Sequence, residues 1–421
     1  MLSADLLVEH AAQLLTLAGG HGGPLTGAAL GDVHLIADGA VAALDGQIVA
    51  VGPTAAVRAD VHLSPQATVV DARECVVLPG FVDPHTHLVF AGSRADEFEM
   101  RLRGATYLEI AAAGGGILRT VTATRAADED TLVQLALSRL DRLLRCGTTT
   151  AEVKSGYGLT LADELKQLRA IHRASAGHQV DLVATVLAAH AVPPEFAGDP
   201  DGYVAHVADE ILPVVAEEDL AEFCDAFCDV GAFTIPQGRR VLEIGAELGL
   251  VPKLHADEFA DLGGATLAAE VGAISADHLL QASDAGLAAL AAAGTVAVLL
   301  PGTAFYLRLP YANARRMIEM GVPVALATDY NPGTSPTWSM PAVIALACVG
   351  MKMSPAEAIA AATINAAWAI GMAEEIGSLE PGKAADMTVC GVSDYREIAM
   401  AFGSPLIRRV IKRGRVVADG A

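Results

Sequence analysis

Between residues 76 and 375, short apolar runs alternate with longer segments in which Ala, Leu and Glu recur at helical spacing. Eight of these runs have the continuous apolar character of buried parallel strands: CVVLPGFVDPHTH, GTTTAEVKSG, DLVATVLAAH, EFCDAFCDV, LVPKLHADE, GAISADHLL, GTVAVLLPG and GVPVALATDYNPG. Helical patterns separate many of them, over residues 129–145, 161–176, 214–222, 237–249 and 281–293. Strands and helices that alternate in this way are typical of a (β/α)8 TIM-type barrel.

Both ends of the chain have a different pattern. Residues 30–75 contain short apolar segments interrupted by Asp38-Gly39 and Asp45-Gly46, dipeptides that favour tight hairpins. Beyond residue 375, the segments IGSLEPGKAADMTVCGV and IRRVIKRGRVVADG again predict strands. We therefore predict an α/β protein with a catalytic barrel over residues 76–375. Residues 1–75 and 376–421 are predicted to form the two parts of one small β-sandwich domain.

Composition excludes several classes of protein. Hydrophobic residues make up 52% of the 421 positions, which is enough apolar surface to form a core. The net charge of -22 repels phosphate backbones and anionic membranes, so neither nucleic acid nor a membrane is expected as a partner. Six dispersed cysteines and an N-terminus without the pattern of a signal peptide predict a reducing, cytoplasmic location.

Histidines mark the ends of the predicted strands. Five of the twelve lie there: His85, His87, His190, His255 and His278. The carboxyl ends of barrel strands form the functional face of this fold. His85 and His87 are two residues apart, so both imidazoles can face the same side of a strand and bind one metal ion. Asp329 ends the eighth predicted strand and adds a carboxylate, which completes a donor set suited to zinc or another first-row metal.

The order of these residues resembles the amidohydrolase superfamily, in which His-x-His ends strand 1, histidines end strands 5 and 6, and an aspartate ends strand 8. The resemblance implies four metal ligands: His85, His87, His255 and Asp329. It places His278 beside the metal-bound water. Binuclear members add a carboxylated lysine on strand 4, but the corresponding segment FCDAFCDVG has none, and Lys154 ends strand 2 instead. One metal ion, zinc or iron, is therefore implied.

Longer segments narrow the resemblance to the imidazolonepropionase family: GFVDPHTHLVFAGSRADEFEMRLRG, TTTAEVKSGYGL, AAHAVPPEF, KLHADEF, SADHLL and LATDYNPGTSPT. That family hydrolyses the cyclic amide C–N bond of 4-imidazolone-5-propanoate, giving N-formimidoyl-L-glutamate in histidine degradation. The resemblance implies that this small-molecule substrate contacts Arg94, Tyr157, His190, Glu258, Asn331, Gly333 and Thr334. Tyr107 is a further candidate, and a homodimer is consistent with the resemblance.

The resemblance also suggests roles for the catalytic residues Glu258, His278 and Asp329. A bound metal lowers the pKa of water and polarises a carbonyl group, and Asp329 is expected to take the proton of that water. His278 is expected to orient the water or stabilise the oxyanion, and Glu258 to pass a proton to the leaving nitrogen. Arg94 is expected to pair with the propanoate, and His190 to donate a hydrogen bond to the ring carbonyl.

Two other functions remain open at this point. A mononuclear deaminase of a heterocycle, of the guanine or cytosine type, shares the ligand set and differs in the substrate loops. A non-catalytic scaffold of the superfamily predicts lost ligands, whereas all five ligand-type residues are present. Cys224 and Cys228 are expected to pack in the core, and Gly114–Gly116 lacks the strand–turn–helix spacing of a phosphate-binding loop.

Overall fold

The computed structural model describes residues 1–19, 22–105, 109, 114–402 and 404–419. Its strands form two sheets, one of which is a parallel barrel with the strand order β6-β7-β8-β9-β10-β11-β12-β13. These strands are β6 (Phe81–Asp83), β7 (Thr148–Lys154), β8 (Asp181–Ala189), β9 (Phe223–Cys228), β10 (Val251–Ala256), β11 (Ser275–His278), β12 (Val296–Leu299) and β13 (Val324–Leu326). Each is parallel to its neighbour, as the apolar runs predicted.

The barrel closes just beyond the first and last strands. Thr86 and Tyr330 form a parallel bridge. The backbone N–H of His87 donates to the Tyr330 carbonyl at 2.9 Å, and that of Asp329 donates to the His85 carbonyl at 3.0 Å. The main-chain hydrogen bonds that close the barrel therefore join His85 and His87 to Asp329 at the carboxyl ends of the strands.

The second sheet combines both ends of the chain. It contains β1 (Leu2–Leu15), β2 (Leu35–Leu44), β3 (Gln47–Pro53), β4 (Val61–Asp71), β5 (Val76–Pro79), β14 (Met387–Cys390), β15 (Ile407–Lys412) and β16 (Arg415–Asp419). The strand order is β16-β15-β14-β5-β1-β2-β3, with β4 paired to β1. The predicted fold class, a barrel beside a β domain from both termini, is confirmed.

Most helices cover the outside of the barrel, whereas the first helix packs against the second sheet. They are α1 (Thr54–Asp60), α2 (Ala95–Leu102), α3 (Ile117–Ala126), α4 (Glu129–Arg145), α5 (Leu161–Ala176), α6 (Pro200–His206), α7 (Leu212–Glu217), α8 (Ile235–Glu247), α9 (Gly264–Glu270), α10 (Asp284–Ala293), α11 (Pro301–Leu307), α12 (Ala314–Glu319), α13 (Met340–Met351), α14 (Pro355–Ala361), α15 (Ile364–Trp368) and α16 (Arg396–Met400). No helix of the described residues has the length and hydropathy to cross a membrane.

Local sequence explains why the best-predicted helices form. The Asp128 side chain accepts a hydrogen bond from the Thr131 backbone and caps α4. Leu132, Ala136 and Leu140 recur at four-residue spacing and are buried. The predicted bounds of α4 and α5 agree with the structure, and those of α8 and α10 differ by two or three residues at one or both ends.

Three local predictions were wrong. The helix expected over residues 214–222 ends at Glu217, because Asp219 adopts a left-handed conformation and Phe223 begins β9. Asp38-Gly39 lies inside β2 rather than in a turn; a Cβ at Gly39 would lie 2.4 Å from the Leu14 Cβ, so glycine is needed there for close packing. The first predicted barrel strand divides between two sheets, since residues 76–79 form β5 and residues 81–83 form β6.

The core lies between the barrel and its helices. All seven residues of β7 are buried, as a strand with covered faces requires. Cys224 and Cys228 are buried in the same hydrophobic cluster, which confirms their predicted packing role. Lys154 and Lys253 are also fully buried, so the barrel interior below the carboxyl ends of the strands contains charged groups.

Candidate active site

Three of the predicted ligands meet where the barrel closes. The Nε2 atoms of His85 and His87 lie 3.3 Å apart. The Asp329 Oδ1 atom lies 3.6 Å from His85 Nε2 and 3.5 Å from His87 Nε2. All three side chains are buried, and one ligand atom from each lies within 4.8 Å of the others. These three side chains could hold a metal ion.

Two more histidines complete the cluster. One nitrogen each of His85, His255 and His278 also lie within 4.8 Å of one another. The His255 ring centroid is 4.5 Å from that of His85 and 5.3 Å from that of His278. Because both groups of three include His85, we treat the five side chains as one cluster, called the His/Asp cluster below.

The histidines of the His/Asp cluster can offer nitrogen lone pairs to a divalent cation. Nitrogen atoms of His87 (Nδ1), His255 (Nδ1 and Nε2) and His278 (Nδ1) are buried without a hydrogen-bond partner among the described residues. Such atoms are costly unless another group satisfies them. Burial lowers the pKa of His85, His87 and His278 well below the ordinary value, so these rings are neutral and retain lone pairs. The residues therefore fit a metal ion.

Sequence reasoning missed the groups that hold the cluster in place. Asp277 Oδ2 lies 2.6 Å from His85 Nδ1, and Asp225 Oδ2 lies 3.0 Å from His255 Nδ1. The hydrogen bond at His85 keeps the proton on Nδ1 and leaves Nε2 available to a metal, whereas at His255 the carboxylate lies close to Nδ1 without the geometry of a hydrogen bond. The Thr303 hydroxyl, in α11, donates to Asp329 Oδ2. The available signal was an aspartate within β9 and another in β11, but nothing in the sequence showed which histidine each would contact.

Glu258 lies beside this cluster in the loop after β10. Its side chain is buried, with Oε1 3.7 Å from His278 Nδ1. The Asp229 carboxylate accepts hydrogen bonds from the backbone N–H groups of Glu258 and Phe259, at 2.7 and 2.8 Å, and so fixes the loop. Burial, followed by the charges of Asp329 and Asp229, raises the pKa of Glu258 well above its ordinary value. A raised pKa favours the protonated carboxyl group, which suits proton donation.

Arg94 lies at the start of α2, where Glu97 and Gly333 hold its side chain. Its Nε donates to Glu97 Oε2 at 2.8 Å. A Cβ at Gly333 would lie only 2.0 Å from Arg94 Nη1, so this position requires glycine if the guanidinium is to stay where it is. A second cation is also present, since Arg101 Nη2 donates to the Gly333 carbonyl at 2.8 Å. The loop around Gly333 therefore meets two guanidinium groups.

Tyr157 and His190 line the cluster on the side of His87. Their ring centroids lie 5.9 and 5.1 Å from that of His87, and the His190 ring is stacked on it. Burial raises the pKa of the Tyr157 phenol, so its hydroxyl keeps its proton. Burial also lowers the pKa of His190 to about 3, which makes its ring neutral.

The hydrogen bond of His190 argues against its predicted role. His190 Nδ1 lies 3.0 Å from the Gly156 carbonyl oxygen, which can only accept a hydrogen bond. The single proton of the neutral ring is therefore on Nδ1, and Nε2 presents a lone pair to the pocket. Nε2 can accept a hydrogen bond from a ring N–H group; it cannot donate to a ring carbonyl as the sequence suggested.

The Asn331 carboxamide is occupied within its own loop. Its Nδ2 donates to the Asp329 carbonyl at 2.7 Å and to the Thr334 hydroxyl at 2.8 Å. Its Oδ1 accepts from the backbone N–H groups of Gly333 and Thr334 at 2.8 and 2.7 Å. Asn331 therefore shapes the loop that carries Gly333 to Arg94. The further candidate, Tyr107, lies outside the described residues.

Comparison with known proteins decides among the remaining functions. The model of the amidohydrolase family matches residues 252–417. The imidazolonepropionase of Symbiobacterium thermophilum is 55% identical over 421 residues, covering 100% of this chain and 98% of that protein. The imidazolonepropionase of Geobacillus kaustophilus is 54% identical over 415 residues, covering 98% of each.

The chain belongs to the imidazolonepropionase family. It is therefore a hydrolase, and the resemblance found in its motifs is confirmed. Members of the imidazolonepropionase family share its full length, so both the barrel and the terminal β domain are part of the matched unit.

A solved structure confirms the fold. The zinc-bound adenosine deaminase from Xanthomonas campestris has a TM-score of 0.72 and 21% sequence identity, covering 99% of this chain and 93% of that one. At this identity the likeness concerns architecture alone. It does not extend deamination to a chain of the imidazolonepropionase family.

Proposed function

We propose that the chain hydrolyses the cyclic amide C–N bond of 4-imidazolone-5-propanoate to N-formimidoyl-L-glutamate, with one zinc or iron ion. The observation that carries this proposal is the buried His/Asp cluster beside the Arg94–Gly333 contact, in a chain of the imidazolonepropionase family. The described cysteines are unpaired, which fits the reducing cytoplasm in which we propose that the enzyme works.

The metal would be held by His85, His87, His255 and Asp329. This donor set of three imidazoles and one carboxylate suits zinc or iron. When bound, such an ion lowers the pKa of a water molecule toward ~7 and polarises a carbonyl group. The chain supplies everything else that hydrolysis needs, namely orientation, a base and an acid.

Asp329 and His278 act at the attacked carbonyl. Burial raises the pKa of Asp329 to about 6, which makes its carboxylate a better base for the proton of the attacking water. The Thr303 hydroxyl fixes the Oδ2 atom of this carboxylate, which leaves Oδ1 directed at the cluster. His278 stabilises the negative charge that develops on the carbonyl oxygen.

Glu258 acts at the leaving nitrogen. The oxygen of water adds to the carbonyl carbon, the C–N bond breaks, and the departing nitrogen needs a proton. Burial raises the pKa of Glu258 and so favours its protonated form, which can deliver that proton. The proton taken up by Asp329 then restores Glu258, so the sum of the steps is the addition of one water.

The remaining polar groups orient the substrate. The Arg94 guanidinium pairs with the propanoate, an arrangement that its planar fork of donors favours. His190 Nε2 accepts a hydrogen bond from a ring N–H group, and the Tyr157 hydroxyl donates to an oxygen of the substrate. Gly333 and Thr334, held by Asn331, form the wall beside Arg94.

Mass spectrometry of the product tests this proposal. Freshly prepared 4-imidazolone-5-propanoate is incubated with metal-loaded protein, and guanine and cytosine are tested in parallel. We expect the mass of one water to be added to the imidazolone without release of ammonia. Ammonia release from a base, with the imidazolone unchanged, would contradict the proposal and favour a deaminase. No turnover of any substrate by metal-loaded protein would favour a scaffold.

A further inference from the structure

Lys154 is a buried cation whose role the reaction described above does not explain. It ends β7, and none of its side chain is exposed. Its Nζ lies 2.8 Å from Glu152 Oε1, 2.8 Å from Asp225 Oδ2 and 3.5 Å from Asp277 Oδ2. An ammonium group has three protons, and here it faces three carboxylates.

Two of these carboxylates are the ones that hold metal ligands. The same Asp225 Oδ2 atom that meets Lys154 lies 3.0 Å from His255 Nδ1. The same Asp277 Oδ2 atom lies 2.6 Å from His85 Nδ1. One ammonium group therefore contacts both oxygens that orient imidazoles of the His/Asp cluster.

The main chain of β7 contacts the segment that carries His87, the third imidazole among the proposed ligands. The Lys154 backbone N–H donates to the Thr86 carbonyl at 2.8 Å, and the Thr86 hydroxyl donates to the Glu152 carbonyl at 2.7 Å. Thr86 lies between His85 and His87. The end of β7 thus holds the His-x-His motif by its backbone while the Lys154 side chain holds the carboxylates.

Charge balance explains why a lysine is needed at this place. Asp225 and Asp277 are both fully buried, and two buried carboxylates without a cation between them repel each other. Burial alone would lower the pKa of Lys154, but Asp225, Glu152 and Asp277 outweigh it and raise that pKa, so the lysine stays charged. Its ammonium group therefore offsets the repulsion and keeps both carboxylates in place beside their histidines.

We propose that Lys154 is a positioning residue of the metal site, which fixes Asp225 and Asp277 and, through them, His255 and His85. It is no metal ligand itself. The inference rests on the metal site proposed above. It goes beyond that site because a residue outside the ligand set is proposed to strengthen metal binding.

The chain offers a matched control in Lys253. It is also fully buried, on β10, but its Nζ contacts the carbonyl oxygens of Pro84 and Ala369 at 3.3 and 3.2 Å. Its nearest carboxylate is Glu152, at 3.8 Å, which holds no imidazole. Lys154→Met and Lys253→Met each remove one fully buried lysine side chain, so a general effect of lost packing would appear in both.

Zinc affinity is the measurement. Each protein is checked for folding by circular dichroism, stripped of metal, and titrated with zinc in competition with a coloured chelator. We expect K154M to bind zinc about 10- to 100-fold more weakly than wild type, the usual effect of losing a group that orients ligands. We expect a smaller loss in K253M. The visible spectrum of the cobalt form should change in K154M and stay like wild type in K253M.

A double variant separates positioning from folding. K154M/D225N loses one positive and one negative charge, so it keeps the charge balance and carries the test if K154M does not fold. We expect K154M to weaken zinc binding less in the D225N background than in wild type, because D225N has already broken the connection to His255 and only the connection through Asp277 to His85 is left to lose. An equal loss from K154M in both backgrounds, or equal losses in K154M and K253M, would overturn the proposal. A wild-type chain that binds no zinc, cobalt or iron would overturn the metal site as well.

Discussion

The two halves of the candidate active site are built differently. On the proposed metal side, His255 and His278 lie on strands and His85 lies two residues after one, and all three are buried. On the substrate side, Arg94 and the loop around Asn331 lie outside the strands and are held by hydrogen bonds within the loops. Under the proposed function, the barrel fixes the chemistry, whereas the loops determine which molecule is brought to it.

The largest effect is expected on the metal side, from Asp329→Asn. The substitution keeps the shape of the side chain but weakens a ligand and removes the base. Because metal chemistry is worth several kcal/mol, kcat should fall by about a thousandfold or more while the melting temperature changes little. Steady-state kinetics on metal-loaded protein check this. Activity within tenfold of wild type would show that Asp329 is neither a metal ligand nor the base.

Glu258→Gln tests the proposed acid, which lies between the metal side and the substrate side. Loss of the acid should lower kcat about a hundredfold or more, with little change in KM. Because only the protonated form donates, wild-type kcat should decline as the pH rises through the raised pKa of Glu258. That alkaline decline should be absent from the pH profile of E258Q. An unchanged profile would assign the acid to another residue.

Arg94→Ala should affect binding more than chemistry. Removal of a charge-assisted hydrogen bond should raise KM about 10- to 100-fold and change kcat much less. Arg103→Ala is the matched control, since Arg103 is 76% exposed and pairs only with Glu99 among the described residues. Equal KM values for R94A and wild type would show that another cation pairs with the propanoate. Arg101 would then be substituted next.

The smallest effect is expected from Gly333→Ala. The new methyl group would displace the end of the Arg94 side chain, so KM should rise about two- to tenfold, less than in R94A. The double variant R94A/G333A should bind no worse than R94A, because the methyl group acts only through the arginine. A further rise in KM in the double variant would mean that Gly333 contacts the substrate itself.

The fold was largely readable from the sequence because its signals are local. Continuous apolar runs and helical spacing predicted all eight barrel strands in order, and the Asp45-Gly46 turn between β2 and β3 lies where it was predicted. The failures concern tertiary context. Gly39 looked like a turn residue, although it serves close packing against Leu14, and residues 76–79 pair with β14 from the far end of the chain.

The site was predictable only in part, for the same reason. Ligand types at strand ends are visible in the sequence, and the structure brings His85, His87, His255, His278 and Asp329 together as the motif suggested. The residues that orient these ligands cannot be recognised in the sequence. The contact between His85 and Asp277 joins residues 192 positions apart, and Lys154 meets carboxylates from two other strands. Such partners are set by barrel geometry, so spacing along the chain cannot reveal them.

Hydrolysis in water enriched in heavy oxygen tests the central claim most directly. If water attacks the ring carbonyl carbon and the cyclic amide bond breaks, one heavy oxygen enters the new carboxylate next to the α-carbon of N-formimidoyl-L-glutamate. Fragmentation in the mass spectrometer locates that oxygen. We predict heavy oxygen in this carboxylate and none in the formimidoyl group. Heavy oxygen at the formimidoyl carbon, or an unopened ring, would contradict the account.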